Sequence, residues 1–165
     1  MPVPRILIVD DETDVANAWR RAMRIAGYDV KTAQTAEAAL ALCDEYAFDV
    51  VILDYIMPSM KGLELLTRMR KVQPLIRSIL VSGKFPTHLE ESGLEAELKE
   101  SVEVDVYLHK PVANQRLKEV VERLLAQRDL GDWKDVAKRT LEGRRPTIKD
   151  AKEATKSVDK LRKRR

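Results

Sequence analysis

The sequence predicts an α/β fold in which a five-stranded parallel sheet lies between two layers of helices. Short continuous apolar runs, typical of strands covered on both faces, alternate with segments whose apolar residues recur at helical spacing. Five rounds of this alternation favour parallel strands, because each crossover helix returns the chain to the same end of the sheet. The expected architecture is therefore a three-layer (βα)5 sandwich, followed by a C-terminal extension that is helical or partly disordered.

The five strands are predicted at residues 6–9, 28–33, 50–53, 79–81 and 104–108. The run Val50-Val51-Ile52-Leu53 is the most apolar and predicts the central strand. Helices are predicted near residues 15–26, 36–45, 63–71, 89–99 and 117–125. Gly27 follows the first helix as a C-terminal cap, and Thr35 precedes the second as an N-terminal cap.

Length and composition narrow the class of protein. A chain of 165 residues amounts to one ordinary domain plus roughly 40 residues. With 44% hydrophobic residues the chain is not wholly disordered, and no apolar run approaches the ~20 residues of a membrane span. Cys43 is the single cysteine, predicted to be buried, and the first residues lack the apolar stretch of a secretory signal. We therefore expect a cytoplasmic protein that does not enter a membrane.

The charge is divided between two regions, which we predict to be a domain over residues 1–127 and a basic, helical extension over 128–165. Residues 126–165 carry 14 Lys/Arg against 7 Asp/Glu, whereas residues 1–125 carry 16 against 20. A cap at Asp132–Asp135 predicts one short helix in the extension, and an apolar stripe from Ile148 to Leu161 predicts another. That stripe is too narrow to stabilise an isolated helix, so it requires the main domain, a second copy in a homodimer, or another protein.

Polar residues follow four of the predicted strands. Asp10 and Asp11 follow the first strand, Asp54 the third, Ser82 the fourth and Lys110 the fifth. In a parallel α/β sheet, the carboxyl ends of the strands form one crevice where ligands bind. Three converging carboxylates repel one another and favour a hard divalent cation with oxygen ligands, Mg²⁺ above all.

These residues lie in stretches with a recognisable order: Ile6-Leu7-Ile8-Val9-Asp10-Asp11, Leu53-Asp54-Tyr55-Ile56-Met57-Pro58-Ser59-Met60-Lys61-Gly62, Ser82-Gly83 and Lys110-Pro111. The series resembles the receiver domain of two-component response regulators over residues 3–127. The resemblance implies a flavodoxin-like fold in which Asp54 accepts a phosphoryl group from a histidine kinase or a phosphotransfer protein. It also implies that Mg²⁺ is held by Asp10, Asp11, Asp54 and the backbone carbonyl of Ile56.

The same resemblance assigns roles around the phosphoryl group. Ser82 and Lys110 would contact its oxygens, and the peptide bond between Lys110 and Pro111 would be cis. Tyr107 occupies the position of the family's switch aromatic, so phosphorylation would move Ser82 and let Tyr107 rotate. The repacked surface would then control an output partner. The segment between Ser82 and Lys110 is longer than is usual for the family.

Two other functions compete with this interpretation. A Mg²⁺-dependent phosphatase would need a second acid where Ile56 stands, and the chain has no G-x-x-x-x-G-K-[ST] motif for nucleotide hydrolysis. A transcription factor remains the alternative, with nucleic acid attracted by the basic tail. About 40 tail residues are few for a winged-helix module, and no glycine marks a turn between its predicted helices. The sequence therefore favours a regulatory phosphoacceptor rather than an enzyme or a specific DNA-binding protein.

Overall fold

The structure, a computed structural model, describes residues 2–83 and 104–140, with residues 128–140 described by their backbone alone. Five strands form a sheet in the order β2-β1-β3-β4-β5, and every neighbouring pair is parallel. The strands are β1 (Arg5–Val9), β2 (Asp29–Ala33), β3 (Val50–Asp54), β4 (Arg77–Ser82) and β5 (Val106–His109). The predicted parallel sheet is confirmed.

The described residues form four helices: α1 (Thr13–Ile25), α2 (Ala36–Glu45), α3 (Gly62–Val72) and α4 (Asn114–Thr140). The helix predicted at 89–99 and the tail stripe from 148 to 161 lie outside the described residues. No helix in the part of the chain that the structure describes combines the length and apolar composition that a membrane span requires.

Two apolar clusters, one on each face of the sheet, hold the layers together. Consecutive strand residues such as Leu7 and Ile8 belong to different clusters, because successive side chains of a strand point to opposite faces. One cluster contains the buried residues of α2 and α3, including Cys43, and the other contains those of α1 and α4. Burial raises the pKa of the Cys43 thiol to about 12, with the charge of Asp44 contributing less. Cys43 is therefore the small buried apolar residue that the sequence predicted.

The predicted caps are confirmed, and the buried face of α1 is narrower than the set of its apolar residues. The Thr35 side chain accepts a hydrogen bond from the Ala38 N–H, and Gly27 has φ 95° directly after the α1 C-cap. The buried positions of α1 are Ala16, Trp19 and Met23, while Ile25 is 81% exposed. Ile25 lies off the buried stripe because only positions three or four residues apart share one face of a helix.

The helix α4 continues past the point where the sequence placed a break. Its backbone runs unbroken through Gly131 and residues 132–135, where a new N-terminal cap was predicted. The prediction of a separate short helix is wrong, because one internal glycine costs a helix only ~1 kcal/mol and need not end it. The division between residues 127 and 128 falls inside this helix and stays a prediction.

Candidate functional site at the carboxyl ends of the strands

The candidate site lies where the order of the strands reverses. The strand β2 flanks β1 on one side, whereas β3, β4 and β5 follow on the other. Such a switch point opens a crevice beyond the carboxyl ends of the strands. Asp10 follows β1 directly and is fully buried, and Asp54 is the last residue of β3 with 6% of its surface exposed. The topology thus places two buried carboxylates beside each other.

Lys110, which follows β5, provides the positive charge of the site. Its Nζ donates to Asp10 Oδ2 at 2.8 Å, to Asp54 Oδ2 at 3.3 Å and to Glu12 Oε1 at 3.3 Å. The Lys110–Pro111 peptide bond is cis, as the resemblance implied. One ammonium therefore joins carboxylates from two strands and the N-terminus of α1.

The protein environment shifts the pKa of both charged partners. Burial and the adjacent charge of Asp10 raise the pKa of Asp54 to about 6, although Lys110 and the Ile56 N–H oppose this shift. Burial by itself would lower the pKa of Lys110, yet its hydrogen bond to Asp10 and the charges of Asp10 and Asp54 raise that pKa above its ordinary value. Among the described residues, the three carboxylates therefore carry more negative charge than the ammonium of Lys110 balances.

The carboxylate oxygens form a donor set suited to a hard cation. One oxygen from each of Asp10, Glu12 and Asp54 lies within 4.8 Å of the others. Glu12 was not predicted from the sequence, because it lies three residues beyond the end of β1 and not directly after the strand. Its backbone N–H donates to Asp10 Oδ1 at 2.9 Å, and this local contact places Glu12 at the rim.

Asp11 and Ile56, both expected to hold Mg²⁺, lie at the rim of the site. Asp11 is exposed and is not part of the carboxylate group formed by the described residues. The Ile56 N–H donates to Asp54 Oδ1 at 3.2 Å, and its side chain is 52% exposed. A side chain at Gly62 would overlap the backbone carbonyl of Asp54, so glycine is required for this loop to close on β3. The metal-ligand roles of Asp11 and Ile56 stay predictions.

The two predicted switch residues occupy neighbouring strands. Ser82 ends β4 with 1% of its surface exposed, and its backbone carbonyl accepts a hydrogen bond from the Lys110 N–H at 2.9 Å. Tyr107 lies on β5 and is 43% exposed. Burial, and to a smaller extent Tyr55, raises the pKa of Tyr107. The structure thus places Ser82 beside the lysine and Tyr107 at the outer strand of the sheet.

The fold and the site define a parallel α/β domain with an acidic pocket and a lysine at its switch point, and comparison with known proteins identifies the family. The chain belongs to the response regulator receiver domain family, whose model matches residues 6–122. It is therefore a response regulator receiver domain, the regulatory component of two-component signalling, a family in which Mg²⁺ and phosphoaspartate are standard.

Several relatives share this domain. The transcriptional regulatory protein PrrA of Mycobacterium tuberculosis is 32% identical over 125 residues, which cover 76% of this chain and 51% of PrrA. The response regulator MprA of Mycolicibacterium vanbaalenii is 34% identical over 126 residues, which cover 76% of this chain and 50% of MprA. The chain thus spans about half the length of the curated relatives it matches.

Solved structures agree on the fold. A CheY-like receiver domain protein from Methanospirillum hungatei superposes with a TM-score of 0.65 at 31% identity, covering 79% of this chain and all of that chain. A receiver domain from Clostridium thermocellum gives a TM-score of 0.65 at 28% identity, covering 78% and 98% of the two chains. The flavodoxin-like fold implied by the sequence is thereby confirmed.

Proposed function

We propose that Asp54 accepts a phosphoryl group, in a Mg²⁺-dependent reaction, from a histidine kinase or a phosphotransfer protein. The observation that carries this proposal is the setting of Asp54, a nearly buried carboxylate that shares the ammonium of Lys110 with the carboxylate of Asp10. This group of charges suits a reaction that brings further negative charge into the crevice, because the ammonium of Lys110 can offset it.

The reaction that fits this setting is in-line phosphoryl transfer. An oxygen of Asp54 forms a bond to phosphorus while the bond between phosphorus and the donor's imidazole nitrogen breaks, and its electron pair returns to the imidazole. Lys110 lies within reach to donate to a phosphoryl oxygen and to offset the repulsion between two anions. The Ser82 hydroxyl would bind another oxygen. Mg²⁺, when bound, neutralises the charge that the transition state spreads over these oxygens.

Mass spectrometry of the intact protein tests the acceptor. Incubation with Mg²⁺ and a small phosphodonor should add one phosphoryl group to the wild type and none to Asp54→Asn, because an amide is a poor nucleophile. Asp44→Asn, which changes an exposed aspartate in α2, is the matched control and should be labelled like the wild type. Equal labelling of Asp54→Asn would reject Asp54 as the acceptor.

The metal site is proposed to consist of the Asp10, Asp11 and Asp54 carboxylates and the Ile56 carbonyl. Asp11→Asn should weaken Mg²⁺ binding by at least about tenfold in calorimetric titration, since even the loss of an outer-shell partner weakens metal sites by this factor. Its free energy of unfolding should change by less than about 0.5 kcal/mol, because Asp11 is exposed.

Asp14→Asn is the control for this titration, because it removes an exposed charge in the first turn of α1 without removing a proposed ligand. Its Mg²⁺ affinity should remain within about twofold of the wild type. The idea fails if Glu12→Gln weakens binding while Asp11→Asn does not, and Glu12 of the carboxylate group would then be the ligand.

The proposed output is a change of surface around Tyr107. A phosphoryl group on Asp54 would draw the Ser82 hydroxyl inward, and the half-exposed ring of Tyr107 on the adjacent strand would move into the released space. The proposal places this switch in the cytoplasm and restricts catalysis to the domain's own phosphoryl transfer and dephosphorylation. The partner that binds the switched surface is an output protein or a second copy of the chain.

The second candidate output is regulation of transcription, and the names of the relatives favour it. PrrA is described as a transcriptional regulatory protein, and this chain matches about half of it. In this alternative, the excess of Lys and Arg over residues 126–165 would attract the phosphates of DNA. A receiver whose switched surface binds a protein partner stays the preferred proposal.

A further inference from the structure

An aromatic ring of the core contacts the charged centre of the site. Trp19, in the middle of α1, is only 3% exposed and belongs to the apolar cluster that also contains Ile8 and Leu108. The Nζ atom of Lys110 lies 5.8 Å from the centroid of the Trp19 ring. This separation is within the distance at which an ammonium is attracted to the face of an indole, the aromatic group that binds cations most strongly.

The surroundings of Lys110 explain why such a contact would matter. Its ammonium has two kinds of neighbour: the carboxylates of Asp10, Asp54 and Glu12, which accept its hydrogen bonds, and the indole ring, which accepts none. The hydrogen bonds must rearrange when a phosphoryl group arrives and offers new oxygens. The ring of Trp19 is fixed by the packing of the core, so it stays beside the lysine throughout.

We propose that Trp19 is a positioning residue whose indole ring restrains the ammonium of Lys110 beside Asp54 by a cation–π contact. Trp19 is the aromatic residue among the buried positions of α1, the others being Ala16 and Met23. The restraint keeps the long, flexible lysine side chain near the oxygen that reacts and limits the orientations it must lose in the transition state. This inference rests on the proposed phosphoryl transfer.

Fluorinated tryptophans test the contact with almost no change of shape. Each fluorine withdraws electron density from the ring face, so monofluoro-, difluoro- and trifluorotryptophan weaken a cation–π contact step by step. Trp133, the second tryptophan, is replaced by phenylalanine so that only Trp19 carries the label. The rate constant for labelling by a small phosphodonor with Mg²⁺ should fall with each fluorine, by about three- to tenfold over the series.

Mg²⁺ affinity separates positioning from a general disturbance of the site. It should remain within about twofold across the series, because the fluorines leave every carboxylate unchanged. The matched control is the Trp19→Phe variant, in which Trp133 is the tryptophan that carries the fluorines. The labelling rate of this variant should be the same with and without fluorine. A spectroscopic readout is also expected: Lys110→Gln should shift the emission of Trp19 in the Trp133→Phe background.

The outcomes distinguish this inference from the proposed function. If the chain without fluorine is labelled at Asp54 and the rate is flat across the series, the role of Trp19 is overturned while the phosphoacceptor stands. If rate and Mg²⁺ affinity fall together, the ring is a structural support and the positioning role is again overturned. If the chain without fluorine takes no phosphoryl group at Asp54, the proposed function itself fails.

Discussion

In buffer without divalent cations, Lys110→Met should lower the free energy of unfolding by about 3 kcal/mol, and Mg²⁺ should restore more stability to this variant than to the wild type. The lysine side chain is 15% exposed, and it pairs with the buried carboxylates of Asp10 and Asp54. Removing one partner of a buried ion pair leaves uncompensated charge, which costs more than the intact pair contributes. Here one substitution leaves two carboxylates without that partner.

The response to Mg²⁺ follows from competition for the same oxygens. Lys110 Nζ contacts Asp10, Glu12 and Asp54, and these three residues supply the carboxylate group that could hold a cation. A chain without the ammonium presents the same oxygens without the positive charge of Lys110, so Mg²⁺ should bind it more tightly. At a tenfold excess of Mg²⁺ over its Kd, the folded state gains about 1.4 kcal/mol.

Urea denaturation with and without Mg²⁺ measures both effects, and labelling by a phosphodonor measures a third. The variant should bind Mg²⁺ more tightly and yet transfer phosphoryl groups at least about a hundredfold more slowly, because the charge that offsets the repulsion is gone. Lys118→Met is the matched control: Lys118 forms a 3.7 Å surface pair with Glu122, and its loss should cost less than about 0.5 kcal/mol. Equal stability of Lys110→Met and the wild type would show that Lys110 does not neutralise the pocket.

The sequence predicted the sheet well because burial on both faces leaves a direct signal. The runs at residues 6–9 and 50–53 are apolar throughout, and their strands are buried at nearly every position. Parallel topology then fixed which ends of the strands meet. Asp10, Asp54, Ser82 and Lys110 were predicted to share one rim, and the observed contacts of Lys110 require that arrangement.

The parts that sequence reasoning missed depend on contacts between distant segments or on weak local signals. The Glu12 side chain pairs with Lys110, which lies 98 residues away in the sequence, and no local pattern encodes that contact. The continuation of α4 through Gly131 was missed because the cap-like residues after this glycine predicted a new helix. The low helix propensity of one glycine is too small an effect to end a helix by itself. The contact between Trp19 and Lys110 was likewise hidden, because a tryptophan on a helical apolar stripe is explained by packing alone.

A charged cluster at the opposite end of the sheet was also absent from the sequence analysis. Asp105, immediately before β5, pairs with Arg70 of α3 at 3.2 Å and with Arg77 of β4 at 3.1 Å. It also accepts hydrogen bonds from the backbone N–H and the hydroxyl of Ser78, at 2.8 and 3.0 Å. The cluster fixes the point where the chain re-enters the sheet as β5, the strand that leads to Lys110.

Asp105→Ala should therefore lower the free energy of unfolding by about 3–5 kcal/mol, the cost of leaving buried charges without their partner. The side chains of Asp105, Arg70 and Arg77 are between 14% and 17% exposed, so solvent cannot replace the lost carboxylate well. The double variant Arg77→Met/Asp105→Ala should lose less than the sum of its single variants, because removing Arg77 removes one of the two cations that pair with Asp105.

Urea unfolding followed by circular dichroism measures these differences. Glu64→Ala is the matched control, since the Glu64–Arg68 pair of α3 is more than half exposed on both sides and should contribute less than about 0.5 kcal/mol. Asp105 precedes β5, at the opposite end of the sheet from the carboxylates of the site. At a temperature where the Asp105→Ala variant is folded, its Mg²⁺ affinity should therefore match that of the wild type. A loss below about 1 kcal/mol would mean that the two arginines find other partners, and that β5 is held in register by its ladder with β4 alone.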